Sequence, residues 1–87
     1  MEPSTRRTHV LIVDDEPAIR FGIRSFLEAF GYQVTEAETC AEGLAAFQAR
    51  RPDVAVLDYQ LPDGTSLELL ARLMQPEEHR AVGKRKG

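Results

Sequence analysis

Two short apolar runs, Val10–Val13 (VLIV) and Val54–Leu57 (VAVL), each end on carboxylates: Asp14-Asp15 follows the first and Asp58 the second. An uninterrupted apolar run of this length, bounded by turn signals, reads as a strand buried on both faces. Such strands need helices on both sides, which restricts the chain to an α/β domain with a parallel sheet. In open sheets of that kind ligands bind outside the carboxyl ends of the strands, where these acids stand. The stretch Asp53–Gly64 (DVAVLDYQLPDG), with Asp58 at its centre, is the segment around which the chain is organised.

The sequence between and after the runs supplies the crossovers. His9–Val13 is the first strand, and Asp14-Asp15-Glu16-Pro17 is a loop turning into a helix. Proline suits a first helical position, and acids before it suit the helix dipole. Ile19, Ile23, Phe26, Leu27 and Phe30 recur at steps of three and four and predict one apolar face, ended by Gly31. Tyr32–Glu36 predicts a second, more alternating strand at a sheet edge. Thr39 and Glu42 have the spacing of a capping box, opening a helix to about Arg50 with Ala41, Leu44 and Phe47 inward. After the third strand and the Pro62-Asp63-Gly64 turn, Thr65 or Ser66 caps a third helix carrying Leu67, Leu70, Leu73 and Met74. The order is βαβαβα. With the apolar first and third strands adjacent and the second at an edge, the predicted strand order is 2-1-3. That order sets Asp14, Asp15 and Asp58 close together, since neighbouring strands lie about 4.8 Å apart.

Eighty-seven residues allow one domain. A net charge of −3 argues against a nucleic-acid-binding surface, and the single Cys excludes an intrachain disulfide. Residues 1–8 form a polar arm without the character of a signal peptide, and no apolar run approaches membrane-spanning length. A cytoplasmic protein with no membrane or nucleic-acid partner is the expectation. The charged, aperiodic stretch 75–87 reads as a flexible tail.

Converging carboxylates repel one another. At an effective dielectric of about 20, two charges 4 Å apart cost roughly 4 kcal/mol. Bound protons or a metal ion relieve this, and an all-oxygen site suits Mg²⁺. A cation there would also offset the charge of an incoming phosphoryl group, which points to phosphoryl transfer onto Asp58. Asp at a strand end is also common as a simple cap, and each short motif taken singly has that reading.

The two motifs Leu11-Ile12-Val13-Asp14-Asp15-Glu16-Pro17 and Leu57-Asp58-Tyr59-Gln60-Leu61-Pro62-Asp63-Gly64, in this element order, resemble the receiver domain of two-component response regulators. The resemblance covers about residues 9–74 and implies a partial receiver domain. The implied fold is flavodoxin-like (CheY-like) and doubly wound, with three βα units where the family has five. By resemblance Asp58 is the phosphoacceptor, with Asp14 and Asp15 holding Mg²⁺, Asp15 the more directly. The main-chain carbonyl of Gln60 is a further ligand, and Pro62 and Gly64 shape the loop. Ser66 stands where many members have Gly. The family's Ser or Thr ending the fourth sheet strand and Lys ending the fifth have no counterpart in these residues; Lys84 and Lys86 lie in the tail. The implied partner is a sensor histidine kinase or phosphotransfer protein, docking on the exposed side of the first helix around Arg20 and Arg24. The chain is not expected to be an enzyme beyond taking part in its own phosphorylation. An open third-strand edge predicts self-association through Val54–Leu57. Two alternatives remain: a non-switching receiver that only binds a partner, and a phosphatase-like fragment. Gln60, where such a phosphatase would need a second acid, counts against the latter. His9, His79 and Cys40 read as structural or solvated residues, although a helix N-terminus beside Cys40 would lower its thiol pKa.

Overall fold

The computed structural model describes residues 7–74; the polar arm up to residue 6 and the tail over 75–87 lie outside them. The elements are β1 (His9–Val13), α1 (Pro17–Ala29), β2 (Gln33–Ala37), α2 (Cys40–Ala49), β3 (Val54–Leu57), the two-residue strands β4 (Gln60–Leu61) and β5 (Gly64–Thr65), and α3 (Ser66–Leu73). The main sheet is parallel in the order β2-β1-β3, as the apolar patterning predicts. The registers run from His9 against Gln33 to Val13 against Ala37, and from Val10 against Val54 to Val13 against Leu57. The antiparallel β4–β5 pair is an addition in the loop after Asp58, where the sequence suggested only a turn.

Local chemistry sets the boundaries. Pro17 opens α1 in its first turn. At the other end, the N–H of Gly31 donates to Glu28 O at 3.0 Å and that of Tyr32 to Leu27 O at 3.2 Å. This is a Schellman closure, with Gly31 at φ +90°. It draws Tyr32 into the helix exit, so β2 begins at Gln33, one residue later than the expected Tyr32–Glu36. The capping box predicted at Thr39 is half formed: Thr39 Oγ1 accepts from the Glu42 N–H at 3.0 Å, while the Glu42 carboxylate accepts from the Glu38 N–H instead. The complete box lies at α3, where Thr65 and Glu68 each accept from the other's N–H.

Right-handed crossovers running in opposite directions, from β1 to β2 and from β2 back past β1 to β3, put α1 on one face of the sheet and α2 on the other. On the α2 side, Leu11 and Val13 pack with Ala37, Leu61 and Leu69, and Leu44, Phe47, Leu57 and Leu73 close around them. α2 lies so near the sheet that a Cβ on Gly43 would sit 3.0 Å from Val13 Cγ2 and 3.2 Å from Leu69 Cδ2. Gly43, not Ala41, is therefore the inward residue of that turn, and Ala41 is exposed. In α3 the cap at Thr65 fixes the phase so that Ser66, Leu69 and Leu73 face in, leaving Leu67, Leu70 and Met74 exposed.

The α1 side is covered unevenly. Val10 and Ile12 are buried, whereas Val54 and Val56, which share their face by register, are 50% and 37% exposed. The expectation of a fully buried third strand is thus corrected, because within the described residues nothing pairs with its outer edge. The predicted apolar face of α1 splits for the same reason. Ile23 and Leu27 are half-buried, while Ile19, Phe26 and Phe30 are exposed, the two phenylalanines edge to face with centroids 4.9 Å apart.

Leu69 is 2% exposed. Leu69→Ala is expected to lower stability by about 2–4 kcal/mol in a urea titration, and Leu67→Ala by less than about 0.5 kcal/mol.

Candidate functional site

The parallel ladder brings the predicted acids together. Beyond the last residue of β1, the Asp14 N–H donates to Ala37 O at 3.0 Å. Beyond β3, the Asp58 N–H donates to Val13 O at 2.8 Å. Both strand ends are thereby held one residue past the apolar runs, at the carboxylates. Asp14, Asp15 and Asp58 each present an oxygen within 4.8 Å of the others. Asp14 and Asp58 are half-buried and Asp15 is exposed. Asp14 Oδ1 also accepts from the Glu16 N–H at 2.9 Å, which ties the loop to the start of α1. Gln60 follows as the first residue of β4, paired with Thr65.

The loop after Asp58 is anchored by groups that sequence reasoning passed over. The Ser66 N–H donates to Tyr59 O at 2.8 Å, closing the β4–β5 pair. Asp63, read from sequence as part of a turn, accepts from the N–H groups of Cys40 at 2.7 Å and Ala41 at 3.0 Å. It therefore ties the loop to the first turn of α2. These two donors hold its carboxyl below the usual carboxylate range. Cys40 is the packed residue expected, set against the core cluster: burial, reinforced by Asp63 and then Glu68, raises its thiol pKa, and its Sγ donates to Thr65 O at 3.6 Å. Helix-terminus activation of this thiol is thus overridden by desolvation and a neighbouring carboxylate. Gly64 takes φ +150°, where a Cβ would lie 2.5 Å from Glu68 Oε1, so this position accepts only glycine without rearrangement.

The expected placement of Arg20 on the exposed side of α1 is corrected. Arg20 is 9% exposed and belongs to the interior. Its Nε donates to Glu36 at 2.9 Å, one terminal nitrogen to Asp14 O at 2.6 Å and the other to Glu38 at 3.4 Å. Arg24 is half-buried and also pairs with Glu36. The available signal was phase: Arg20 precedes Ile23 and Leu27 at helical spacing on the side facing β2. His9 is structural, as expected, with Nε2 2.7 Å from Thr35 Oγ1 and its main-chain N–H bonded to Asp53.

A doubly wound α/β sheet with a carboxylate cluster across the carboxyl ends of two adjacent strands defines a class of domain that binds its ligand at a topological switch point. Comparison with known proteins makes the class specific. Residues 10–82 match the response regulator receiver domain family, and the chain belongs to that family. It is 48% identical over 68 residues to the KDP operon transcriptional regulatory protein KdpE of Escherichia coli, covering 78% of this chain and 30% of that protein. It is 43% identical over 68 residues to the phosphate regulon transcriptional regulatory protein PhoB of Pseudomonas aeruginosa, with the same two coverages. The chain thus spans about a third of the length of these relatives. Among solved structures, chemotaxis protein CheY4 of Vibrio cholerae superposes with a TM-score of 0.79 at 31% identity, covering 86% of this chain and 62% of that one. Response regulator TrrA of Thermotoga maritima, solved in complex with Mg(2+)-BeF, superposes with a TM-score of 0.76 at 31% identity, covering 82% and 62%. The family resemblance and the incomplete flavodoxin-like fold read from sequence are both borne out. Among the described residues no helix is long and apolar enough to cross a membrane.

A carboxyl whose pKa is lowered by folding stabilises the fold above its unfolded pKa, and that contribution is lost as pH falls through the folded value. The stability difference between wild type and Asp63→Ala is therefore expected to be constant from neutral pH down to about pH 5 and to shrink below about pH 4. Urea midpoints measured across that range test this.

Proposed function

We propose that this receiver domain accepts a phosphoryl group on Asp58 from a phosphohistidine of a sensor histidine kinase or phosphotransfer protein, with Mg²⁺ bound at the same acids. The observation that carries the proposal is the convergence of Asp14, Asp15 and Asp58, from two adjacent strand ends, to within 4.8 Å. The donor set fits a hard cation: three carboxylates, two of them half-buried, with net negative charge and room for water on the exposed side of Asp15. Asp14, Asp15 and Asp58 would hold Mg²⁺ together with the main-chain carbonyl of Gln60. The ion would supply positive charge against the phosphoryl oxygens.

The chain's own residues account for the rest. An Asp58 carboxylate oxygen forms the O–P bond while the donor's N–P bond breaks. The electron pair of that bond leaves with the imidazole, which takes up a proton, and Asp58 becomes an acyl phosphate. Asp58 stands at the end of β3, with its N–H fixed on Val13 O, so the nucleophile is aimed by main-chain hydrogen bonds. Asp63 and the β4–β5 pair hold the following loop. In this role the chain is a phosphoacceptor that takes part in its own modification and has no turnover substrate. Its activity belongs to the cytoplasmic side of a signalling pathway.

Incubation with a phosphorylated histidine-kinase domain and Mg²⁺ is expected to add one phosphoryl group, labile to hydroxylamine, that Asp58→Asn abolishes. Asp15→Asn is expected to raise the Mg²⁺ Kd at least tenfold, as loss of a ligand does. Stable binding of the kinase domain without transfer would replace this reading with that of a non-switching interaction module.

Among the described residues the outer edge of β3 has no strand beside it, and with the exposed Val54 and Val56 this favours one additional property, self-association through that strand. Sedimentation equilibrium is expected to show a concentration-dependent oligomer that Val56→Lys dissociates. A monomer at all concentrations would refute it.

A further inference from the structure

Arg20 is the one cation buried among the described residues, and its guanidinium grips the main chain of an acid of the cluster. We infer that Arg20 is a positioning residue for the acidic site: it acts on the Asp14–Asp15 peptide rather than as a counter-ion. The inference rests on the reading of Asp14, Asp15 and Asp58 as a Mg²⁺ site.

The geometry separates the two roles. Asp14 is fixed by its N–H on Ala37 O, its carbonyl on Arg20 at 2.6 Å and its carboxylate on the Glu16 N–H. A peptide unit is planar, with its C=O and the following N–H pointing in opposite directions. Holding Asp14 O therefore also fixes the N–H of Asp15 and the departure of the Asp15 Cα–Cβ bond. Arg20 itself is held on the far side by Glu36 and Glu38, and its own N–H bonds Glu16 O at 3.0 Å. The guanidinium thus links the start of α1, the end of β2 and the β1–α1 loop, using three donors in three directions. A lysine ammonium cannot reproduce that planar fork.

The charge balance argues the same way. Arg20 and Arg24 face Glu28, Glu36 and Glu38, two positive groups against three negative. The group carries no net positive charge and presents no net positive potential to the acid cluster. A counter-ion would compete with a metal for those acids, so its removal would tighten metal binding. A positioning residue does the opposite.

The test is Mg²⁺ titration calorimetry on Arg20→Lys and Arg20→Gln, with Glu38→Gln as a control that loosens the ion-pair group without touching Asp14. Hydrogen exchange of the Asp15 amide is followed in the metal-free chain. Both Arg20 variants are expected to raise the Mg²⁺ Kd by about tenfold, the usual cost of losing a group that orients a ligand, and to speed exchange at Asp15. Glu38→Gln is expected to leave both near wild type. Wild-type or tighter Mg²⁺ binding in the Arg20 variants would overturn the inference, as would unchanged Asp15 exchange. If wild type itself shows no saturable Mg²⁺ binding, the metal site and the role of Arg20 in it both fall. Failure of the inference alone is recognised by wild-type Mg²⁺ binding that Asp15→Asn weakens and Arg20→Lys does not.

Discussion

β1 pairs in parallel with β2 along one side and β3 along the other, and every other feature depends on that double pairing. All five of its residues are buried. Its two ladders run one hydrogen bond past the apolar segment at each flank, through Asp14 to Ala37 and through Asp58 to Val13. Because the ladder hydrogen bonds fix the strand ends, the carboxylates are brought together by main-chain geometry and not by attraction among themselves. Repulsion between them is supported by the rest of the sheet, which is why such a cluster suits a site completed by a cation.

The features visible in sequence were those governed by short-range chemistry. The two apolar runs marked β1 and β3, with Val54–Leu57 matching to the residue. Proline at the start of α1 and glycine after its end marked that helix to within one position. Asp14, Asp15 and Asp58 followed from strand order alone. What escaped was set by contacts between distant segments. The inward face of α2 turns on Gly43, whose importance comes from the proximity of Val13 and Leu69 and not from its own polarity. The anchoring role of Asp63 requires α2 to begin beside it, twenty-odd residues away in the chain. Arg20, placed on the surface by its charge, is interior because Glu36, Glu38 and a main-chain carbonyl surround it.

The site is held by two unlike kinds of support. On the β1 side, Arg20 and the Glu16 N–H grip the loop of Asp14 and Asp15. On the β3 side, Asp63 and the β4–β5 pair fasten the segment after Asp58 to α2 and α3. The first couples the acids to β2 and the second to the opposite helical layer. A change in charge at the cluster therefore meets resistance from both layers of the domain.

The uneven cover of the sheet has a thermodynamic consequence. Val54, Val56, Ile19 and Phe26 keep apolar surface in water that the opposite layer has already withdrawn from it. Heat capacity follows exposed apolar area. Unfolding this chain therefore releases less new apolar surface per residue than a sheet sealed on both sides would, and its stability curve is correspondingly flat. Whatever covers that flank, whether further chain or a second molecule, would announce itself as a negative heat-capacity change, even where it made no new hydrogen bond.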